Sequence, residues 1–454
     1  MNILHYTIGL PPTRHGGSVQ YANDLMNEQI RQGNNVFALI CGDTLFRPNI
    51  SSIKYKKTIG RLKVFSLVNP ITPTLIYATS NPEEQHRCIK INLKNIEEFV
   101  RSNNIEIFHI HTVMGLHRDI VTFIKSLGVK IIYTTHDFHG ICLRNSLLTK
   151  SGHICNNPND MNCAQCCISA PSDLFLRLCN SNIYHLLKKL PLPKKKVLSI
   201  ANNSSAEQNT PYISESNSKE FQNLIDYYVS YFNEIDLFHF NSSQTQAIFT
   251  KFIPFANGSV IPVITASVHD NRIKLLPKKQ ITFGFIGSLN EYKGFPMLRN
   301  VLIDLKNRGL NNFKLKVYGG GLTGYDPDCN NIQYCGSYKY SDLSKTLYEL
   351  DCVLVPSKSY ETFSLVTLEA LAHGIPAIVS NNVGAKDLIN QIDGNFVFST
   401  EEDLKHKIQA ILTQPQVLAE FNSKLLSLKW SYNIENHTSE ILNFYNNYDR
   451  KKPI

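Results

Sequence analysis

Short apolar runs alternate along the chain with stretches whose apolar positions recur at helical spacing. The first run, Ile3–Ile8, is interrupted by the turn-forming residues His15-Gly16-Gly17. Apolar side chains then recur at Tyr21, Leu25 and Ile30, and Gly33 precedes the next run, Val36–Ile40. This pattern predicts a strand, a glycine turn, a helix that ends at Gly33 and a second strand.

The same unit recurs further along the chain. Ile105–Ile110 and Val129–Tyr133 are predicted strands on either side of a helix near Arg118–Ser126. A second series of strands is predicted at Ile281–Ile286, Phe313–Tyr318, Cys352–Val355 and Ala377–Val379. Helices are predicted near Met297–Lys306, Asp342–Leu350 and Ser364–His373, and again after Glu401. Alternating strands and helices predict an α/β protein with parallel, doubly wound sheets.

The boundaries between the two series define the expected domains. A chain of 454 residues suits two or three domains. We expect a Rossmann-like domain over 1–265, with an insertion rich in Cys, Asn, Ser and Pro at about 140–220. A linker at Pro262–Pro277 leads to a second Rossmann-like domain over 280–428, and a final helix over 429–454 is expected to pack back on the first domain. Ligands of such folds bind at the carboxyl ends of the strands, so we expect the site in a central cleft that both domains face.

Composition narrows the class of protein. Hydrophobic residues make up 43% of the chain and charged residues 18%, which excludes disorder by composition. The formal net charge is +9, and most of the excess lies in residues 1–265, which indicates an anionic substrate or surface near the first domain. The basic residues are scattered and no nucleic-acid-binding signature is present, so we expect no nucleic acid partner.

The start of the chain, Met1–Tyr6, has none of the features of a secretory signal, and no apolar run approaches the roughly 18 residues that a membrane span needs. We therefore expect a cytoplasmic protein. Eleven cysteines in a reducing compartment then indicate buried thiols or metal ligands rather than disulfides.

Two carboxylates after a predicted strand carry the strongest chemical signal. Glu361 and Glu369 follow Cys352–Val355 and stand eight residues apart. A helix that begins near Thr362–Ser364 would direct its free N–H groups and positive dipole end into the cleft, where a phosphate binds. Glu361 would then lie at the mouth of the cleft, and Glu369, about two turns along, could bind the vicinal hydroxyls of a ribose. The alternative is that both are ordinary solvated glutamates.

The residues around these acids resemble a known family. Pro356-Ser357 precedes Glu361, and Glu369-Ala370 is followed by Gly374-Ile375-Pro376. This order resembles the C-terminal signature of the retaining glycosyltransferases with the GT-B fold, the family 4 type, also called glycosyl transferases group 1. The resemblance implies a GT-B fold and transfer of a hexose from a nucleotide diphosphate sugar to an acceptor hydroxyl, with the anomeric configuration retained.

The resemblance extends through the second domain. The segment Phe283–Leu289, followed by Lys293-Gly294, resembles the opening strand and lysine loop of the family. An ammonium there can neutralise a diphosphate leaving group. The chain has Ser288 where many members have Arg, which leaves Lys293 with one cationic partner fewer. Tyr318-Gly319-Gly320-Gly321 resembles the glycine turn after the next strand, although a glycine run can also be only a tight turn.

The first domain carries three matching segments. Gly16-Gly17, with Tyr21, resembles the glycine loop that approaches the donor phosphate or the acceptor, and a plain strand–helix turn is the alternative. Thr135-His136-Asp137-Phe138 resembles the segment that contacts the transferred sugar, with His136 at the active-site position. In His109-Ile110-His111 we expect the two rings to face different ways, with His111 at the edge of the cleft and His109 packed.

The resemblance therefore implies a complete set of site residues. The catalytic residues would be Glu361, Lys293 and His136. The donor-binding residues would be Gly16, Gly17, Ser288, Gly319, Gly320, Thr362, Phe363, Ser364 and Glu369. No cofactor is required for such catalysis, and the acceptor would be a glycan or a lipid-linked glycan of cell-surface polysaccharide synthesis.

Two other functions remain open on the sequence. A nucleotide-sugar epimerase could share the fold, and a nucleotide-sugar- or glycan-binding protein without catalysis could share part of the site. A dinucleotide dehydrogenase is disfavoured, because neither glycine turn reads G-x-G-x-x-G with an acidic residue about 20 positions later.

Two further clusters lie in the first half of the chain. Cys142, Cys155, Cys163 and Cys166 have a spacing that could close a structural zinc site, and free thiols are the alternative. Lysines concentrate at Lys54-Tyr55-Lys56-Lys57, at Lys188-Lys189 and at Lys194-Lys195-Lys196. These lysines are either a solvated face or contacts to anionic lipids at the inner face of the cell membrane.

Overall fold

The computed structural model describes residues 1–42, 50–74, 78–181, 215–337 and 342–446. Within them the chain forms two lobes, each built on a largely parallel sheet with helices packed against it. The predicted α/β class with two doubly wound sheets is confirmed.

The N-terminal lobe contains a nine-stranded sheet in the order β5-β3-β4-β2-β1-β6-β7-β8-β9. Its strands are β1 (Asn2–Thr7), β2 (Asn35–Cys41), β3 (Ile50–Ile59), β4 (Leu62–Val68), β5 (Lys90–Ile91), β6 (Ile107–Ile110), β7 (Lys130–Thr134), β8 (Leu237–Phe240) and β9 (Gly258–Val260). Its helices are α1 (Gly17–Arg31), α2 (Glu83–His86), α3 (Leu93–Ser102), α4 (Arg118–Ser126), α5 (Asp160–Cys167), α6 (Asp173–Asn180), α7 (Glu215–Phe232) and α8 (Ser243–Phe252).

The C-terminal lobe contains a seven-stranded sheet in the order β12-β13-β11-β10-β14-β15-β16. Its strands are β10 (Ile281–Ile286), β11 (Phe313–Tyr318), β12 (Thr323–Tyr325), β13 (Ile332–Cys335), β14 (Cys352–Val355), β15 (Ala377–Ser380) and β16 (Val397–Phe398). Its helices are α9 (Phe295–Asn307), α10 (Leu343–Tyr348), α11 (Leu365–Ala372), α12 (Lys386–Ile392), α13 (Glu401–Thr413) and α14 (Gln416–Ser427). A short 3₁₀ helix, Gly394–Phe396, precedes β16.

The central strands are buried on both faces, which is why apolar runs located them. Leu4 of β1 lies in register between Phe37 of β2 and Phe108 of β6, and all three side chains are buried. Parallel strands covered by helices on both sides read as continuous apolar runs.

The sequence pattern missed the strands that are exposed or very short. In the antiparallel pair β3 and β4, seven of the ten residues of β3 are exposed, so no apolar run marks it. Strands β8 and β9 are also short, with four and three residues.

The segments that join the two lobes pack against the body of the protein. Val263, Ile264 and Val268 of the predicted linker are buried and belong to the same hydrophobic core as the second sheet. A last helix, α15 (Ile434–Asn446), packs against α1 of the first lobe. The predicted final helix extends to 454, and residues 447–454 lie outside the described residues, as do Lys188, Lys189, Lys194, Lys195 and Lys196. Among the helices described, none combines the length and apolarity needed to cross a membrane.

Candidate active site

A cavity of about 920 Å³ lies between the two lobes. From the N-terminal lobe it is lined by residues that include Gly16, Gly17, Tyr21, His136 and Asn241. From the C-terminal lobe it is lined by residues that include Ser288, Lys293, Gly319, Gly320, Glu361, Thr362, Phe363 and Ser364. The cavity thus brings together every residue predicted for catalysis or donor binding except Glu369.

An ion pair lies in the wall that the C-terminal lobe contributes. The Nζ atom of Lys293 is 2.8 Å from Oε1 of Glu361. The backbone of Glu361 is fixed by two hydrogen bonds, from its N–H to the Asn382 carbonyl (2.9 Å) and from the Gly384 N–H to its own carbonyl (2.9 Å). The Ser357 hydroxyl donates a further hydrogen bond to the Glu361 carboxylate. The carboxylate is therefore held in place, whereas the lysine side chain remains 40% exposed.

Helix α11 begins at the cavity. Its N-cap residue, Ser364, has φ = 141°, a value that favours glycine, and makes no side-chain cap. Instead, Ser364 Oγ accepts a hydrogen bond of 3.0 Å from the Thr367 hydroxyl. Leu365 and Val366 of the first turn line the cavity. The first N–H groups of a helix have no partner within it, and they attract anions, so this end of the cavity suits a phosphate.

Backbone approaches closely at the two glycine turns. A Cβ atom at Gly319, where φ is 142°, would overlap the Gly287 carbonyl oxygen. A Cβ atom at Gly17 would come within 3.2 Å of the Leu365 side chain on the opposite lobe. Glycine is therefore required at position 319 by space and conformation, and at position 17 the two lobes come into contact.

His136 contributes an imidazole from the N-terminal lobe. Its Nε2 atom lies 3.2 Å from Nδ1 of His111. The ring of Tyr21 packs edge-on against it, with centroids 5.1 Å apart. Burial lowers the pKa of His136 to about 3, so the ring is neutral at physiological pH. Burial also raises the pKa of the neighbouring Asp137 carboxyl.

The expectation for His109 and His111 was wrong in part. Both side chains are buried, and their ring centroids are only 4.2 Å apart, so the rings face the same way. Residues two positions apart on a strand lie on the same face. His111 contacts His136, while His109 packs against Tyr445 of α15.

Glu369 is the predicted donor-binding residue that does not reach the cavity wall. It lies on α11, is only 4% exposed, and its carbonyl accepts a 2.7 Å hydrogen bond from Nδ1 of His373. Its contact with a ribose stays a prediction.

Direct hydrogen bonds join the lobes around the cavity. The Thr362 hydroxyl donates to the His136 carbonyl at 3.0 Å, and the Thr245 hydroxyl donates to the Thr362 carbonyl at 2.9 Å. Further away, the N–H and hydroxyl of Ser243 each lie 2.7 Å from the Asp387 carboxylate. The structure therefore has the two lobes in contact.

Arg144 is a cleft residue that the sequence interpretation missed. Its guanidinium donates a hydrogen bond across the cleft to the Tyr292 hydroxyl, next to Lys293 in the chain. It lines a second cavity of about 540 Å³ that shares Asp137 and Ser288 with the first. Arg144 follows His136 by eight residues, but nothing local in the sequence relates it to a loop almost 150 residues away.

Comparison with known proteins gives this architecture a family context. Residues 269–425 match the family described as glycosyl transferases group 1. An uncharacterized glycosyltransferase of Methanocaldococcus jannaschii is 30% identical over 128 residues, which are 26% of this chain and 32% of that protein. An uncharacterized 41.2 kDa protein in the cps region of Klebsiella pneumoniae is 27% identical over 115 residues, which are 25% of this chain and 31% of that protein. The matches cover about a third of the length of these curated relatives.

Solved structures match over nearly the whole chain. The sucrose-phosphate synthase of Thermosynechococcus elongatus has a TM-score of 0.55 at 14% identity and covers 98% of each chain. Anabaena HepE in complex with UDP and glucose has a TM-score of 0.54 at 12% identity and covers 99% of this chain and 100% of that one. A UDP-forming trehalose-phosphate synthase of Burkholderia xenovorans has a TM-score of 0.58 at 12% identity and covers 98% of this chain and 99% of that one. The fold is GT-B. The match to glycosyl transferases group 1 falls within its C-terminal lobe.

The cysteine cluster lies outside the GT-B cleft. Cys142, Cys155, Cys163 and Cys166 line a separate cavity of about 940 Å³. Burial and the other three sulfurs raise the pKa of Cys163 to about 12. Among the described residues, the group of potential metal ligands whose donor atoms all lie within 4.8 Å of one another is His5, His109 and His111, and the four sulfurs do not meet this criterion.

Proposed function

We propose that the protein is a retaining glycosyltransferase that moves a hexose from a nucleotide diphosphate sugar to an acceptor hydroxyl. The observation that carries this proposal is the Lys293–Glu361 ion pair beside the N-terminus of α11, in the cleft between two GT-B lobes. The same cleft holds His136 and the glycine turns, so one ligand could contact all of them.

The donor diphosphate would lie against Lys293 and the first N–H groups of α11. An ammonium and oriented N–H groups stabilise the charge that develops on a departing diphosphate. The glycine turn at Gly319, where a Cβ atom would overlap the Gly287 carbonyl oxygen, lines the same cavity. Glu361, held by Ser357 and by two backbone bonds, would accept hydrogen bonds from hydroxyls of the sugar.

The reaction would follow a front-face course. The acceptor oxygen attacks the anomeric carbon on the face from which the diphosphate departs, and the bond to the diphosphate breaks with its electron pair. The proton of the acceptor hydroxyl passes to the leaving phosphate oxygen. The lobes, in contact around the cavity, would exclude the water that otherwise hydrolyses the donor.

A panel of nucleotide sugars, followed by a matched pair of variants, tests this proposal. One nucleotide sugar should raise the melting temperature, and Glu361→Gln should lower its transfer to a glycan acceptor at least a hundredfold. Glu291→Gln is the control, because Glu291 pairs with Lys358 at 2.8 Å but does not line the cavity. Unchanged transfer by the correctly folded Glu361→Gln variant would contradict the proposal.

The two competing functions give different results in the same experiment. An epimerase would change a stereocentre of the sugar without an acceptor. A binding protein would show the thermal shift but no turnover with any acceptor.

We also propose that β3 docks the enzyme on an anionic cytoplasmic membrane, where a lipid-linked acceptor for cell-surface polysaccharide would be presented. Lys54, Lys56 and Lys57 are exposed on β3, together with Tyr55 (61% exposed) and Ile59 (42%). Basic residues beside apolar side chains suit an anionic interface. Replacing the three lysines by glutamine should abolish co-sedimentation with phosphatidylglycerol vesicles. Lys94→Gln, on α3, should not, and binding that survives the triple change would refute the docking.

We further propose a structural zinc ion among Cys142, Cys155, Cys163 and Cys166. The four sulfurs line one cavity but do not all lie within 4.8 Å of one another, so they would have to move together to bind one zinc ion. Full sulfur ligation would then leave no position for catalysis. Purified protein should hold about one zinc, which Cys163→Ser removes with a loss of thermal stability. Cys329→Ser, at a buried cysteine of the other lobe, should leave the zinc content unchanged. A metal-free, equally stable preparation would refute this site.

A further inference from the structure

A continuous chain of hydrogen bonds runs through the interior of the N-terminal lobe and ends at His136 in the cleft. It begins at a backbone carbonyl, Ile261 O, which can only accept. Eight bonds of 2.6–3.2 Å then connect, in order, His239, Thr134, His109, Tyr445, Gln29, His5, His111 and His136. Seven of these eight bonds are fully buried.

The first half of this hydrogen-bond chain allows only one consistent placement of the hydrogen atoms. Nε2 of His239 lies 2.7 Å from the Ile261 carbonyl and must carry its proton. The other nitrogen, Nδ1, is then a lone pair, so the Thr134 hydroxyl donates to it at 2.9 Å. That hydroxyl has a single hydrogen, so it accepts from Nε2–H of His109 at 2.6 Å.

The same logic determines the orientation of Gln29. Nδ1 of His109 is now a lone pair, so the Tyr445 hydroxyl donates to it at 2.6 Å. The Tyr445 oxygen therefore accepts at 3.2 Å from the amide NH₂ of Gln29. A flipped amide would bring two acceptor oxygens together there. The Gln29 carbonyl oxygen must consequently face His5.

The last steps carry this direction to the cleft. Nε2–H of His5 donates to the Gln29 oxygen at 2.7 Å, and Nε2–H of His111 donates to Nδ1 of His5 at 2.9 Å. Nε2–H of His136 then donates to Nδ1 of His111 at 3.2 Å. Nδ1 of His136 remains as a lone pair, and it has no hydrogen-bond partner within the described part of the chain.

The arrangement requires every ring to be neutral, with one N–H and one lone pair. Burial lowers the pKa of His5 and of His239 to about 4, and it lowers the pKa of His109 and His111 well below the usual value. All five rings, His136 included, are therefore neutral at pH 7.

We infer that Gln29, His5 and His111 are positioning residues that lock His136 in the Nε2–H tautomer and direct the Nδ1 lone pair into the cleft. His136 then accepts a hydrogen bond from a ligand hydroxyl and cannot donate one. The tautomer follows from the internal hydrogen bonds between buried, neutral rings and does not depend on the proposed function. The identity of the hydroxyl as part of a sugar rests on the proposed glycosyltransferase function.

Nitrogen-15 NMR of histidine-labelled protein at pH 7.5, without ligand, tests the tautomer directly. The His136 signals are assigned by their loss in His136→Gln. We expect a protonated Nε2 and an unprotonated Nδ1 for His136. A proton on Nδ1 in the wild-type protein would overturn the inference.

Two substitutions at Gln29 separate positioning from packing. Gln29→Met has a similar volume but cannot accept from His5, so the ratio of His136 tautomers should shift about fivefold towards Nδ1–H, the effect of one ordinary hydrogen bond. Gln29→Glu is protonated in this buried position, still presents its carbonyl oxygen to His5, and should keep the wild-type tautomer. If Gln29 acted only through packing, Gln29→Glu would disturb the site more than Gln29→Met. Methionine is apolar, whereas a buried carboxyl destabilises the folded protein.

Controls keep the test decisive. Gln85→Met removes another buried amide of this lobe, bonded to the Thr72 carbonyl, and should leave the His136 signals unchanged. An unshifted tautomer in folded Gln29→Met would refute the inference, and if that variant does not fold, the Gln29→Glu and wild-type spectra still decide. One further result would refute the inference: a metal ion bound at one per protein molecule and lost in His5→Gln. Such an ion would need the histidine lone pairs that accept these hydrogen bonds.

Discussion

Replacing Gly294 with alanine adds one carbon atom between Lys293 and helix α9. Gly294 has φ = 69°, in the left-handed region, which costs alanine about 1–2 kcal/mol. A Cβ atom there would also overlap the Pro356 carbonyl oxygen at the end of β14, well inside the 3.0 Å that real Cβ atoms keep. Relieving the overlap by moving backbone costs about a further 1–3 kcal/mol.

The displaced backbone belongs to the loop that carries Lys293, so the substitution should lower activity as well as stability. Separating the two segments by roughly 1 Å moves Lys293 relative to Glu361, now 2.8 Å apart, and a shift of that size can cost about 100-fold in rate. We expect Gly294→Ala to unfold at lower urea concentration and to transfer sugar about 100-fold more slowly.

Gly309→Ala is the matched control. Gly309 has φ = 92° at the end of α9, but a Cβ atom there meets nothing within 4 Å. It should lose only about 1–2 kcal/mol of stability and keep its turnover. Urea unfolding and initial rates measure both variants. Equal stabilities and turnovers for the two would refute the assignment of the excess cost to the Pro356 overlap.

Three further predictions concern charge and pH. Lys293→Met should slow transfer by about 10²–10³-fold, because it removes the positive charge beside the leaving group. Lys358→Met, outside the cavity, should not slow transfer. A loss below tenfold in Lys293→Met would count against the proposed role of Lys293. Burial holds the pKa of His5 and of His239 at about 4, so the unfolded chain binds more protons than the folded one as the pH falls below 6.5. The free energy of unfolding should therefore fall by about 2 kcal/mol per ring between pH 7.5 and 5. A free energy of unfolding, measured with urea, that does not change over this range would contradict the prediction. Burial opposes ionisation of Asp326, but hydrogen bonds from Arg299 and Tyr334 outweigh it and lower the pKa of the carboxyl to about 2. About 2 kcal/mol of stability is therefore present above pH 4 and lost towards pH 2. Asp326→Asn should remove this acid dependence in thermal melts.

The sequence by itself determined the parts of this protein that depend on short-range pattern. The central strands appear as apolar runs because both of their faces are buried, as at Leu4. The segment from Cys352 to Pro376 contains a short apolar strand, the start of a helix and the glycine after which that helix ends, all features that local sequence imposes. These features predicted both doubly wound sheets, and the family resemblance added twelve catalytic and donor-binding residues, of which all but Glu369 line the cleft.

Only the tertiary structure decided which distant residues share an environment. Gln29 and Tyr445 are 416 residues apart, yet their hydrogen bond determines the direction of the chain that reaches His136. The same applies to the bond from Arg144 to Tyr292 and to the burial of Glu369, which local spacing had favoured at the cleft. Periodicity reports the face of one element at a time, whereas these contacts arise where helix α15 and the second lobe pack on the first, and that packing depends on the surfaces of the whole chain.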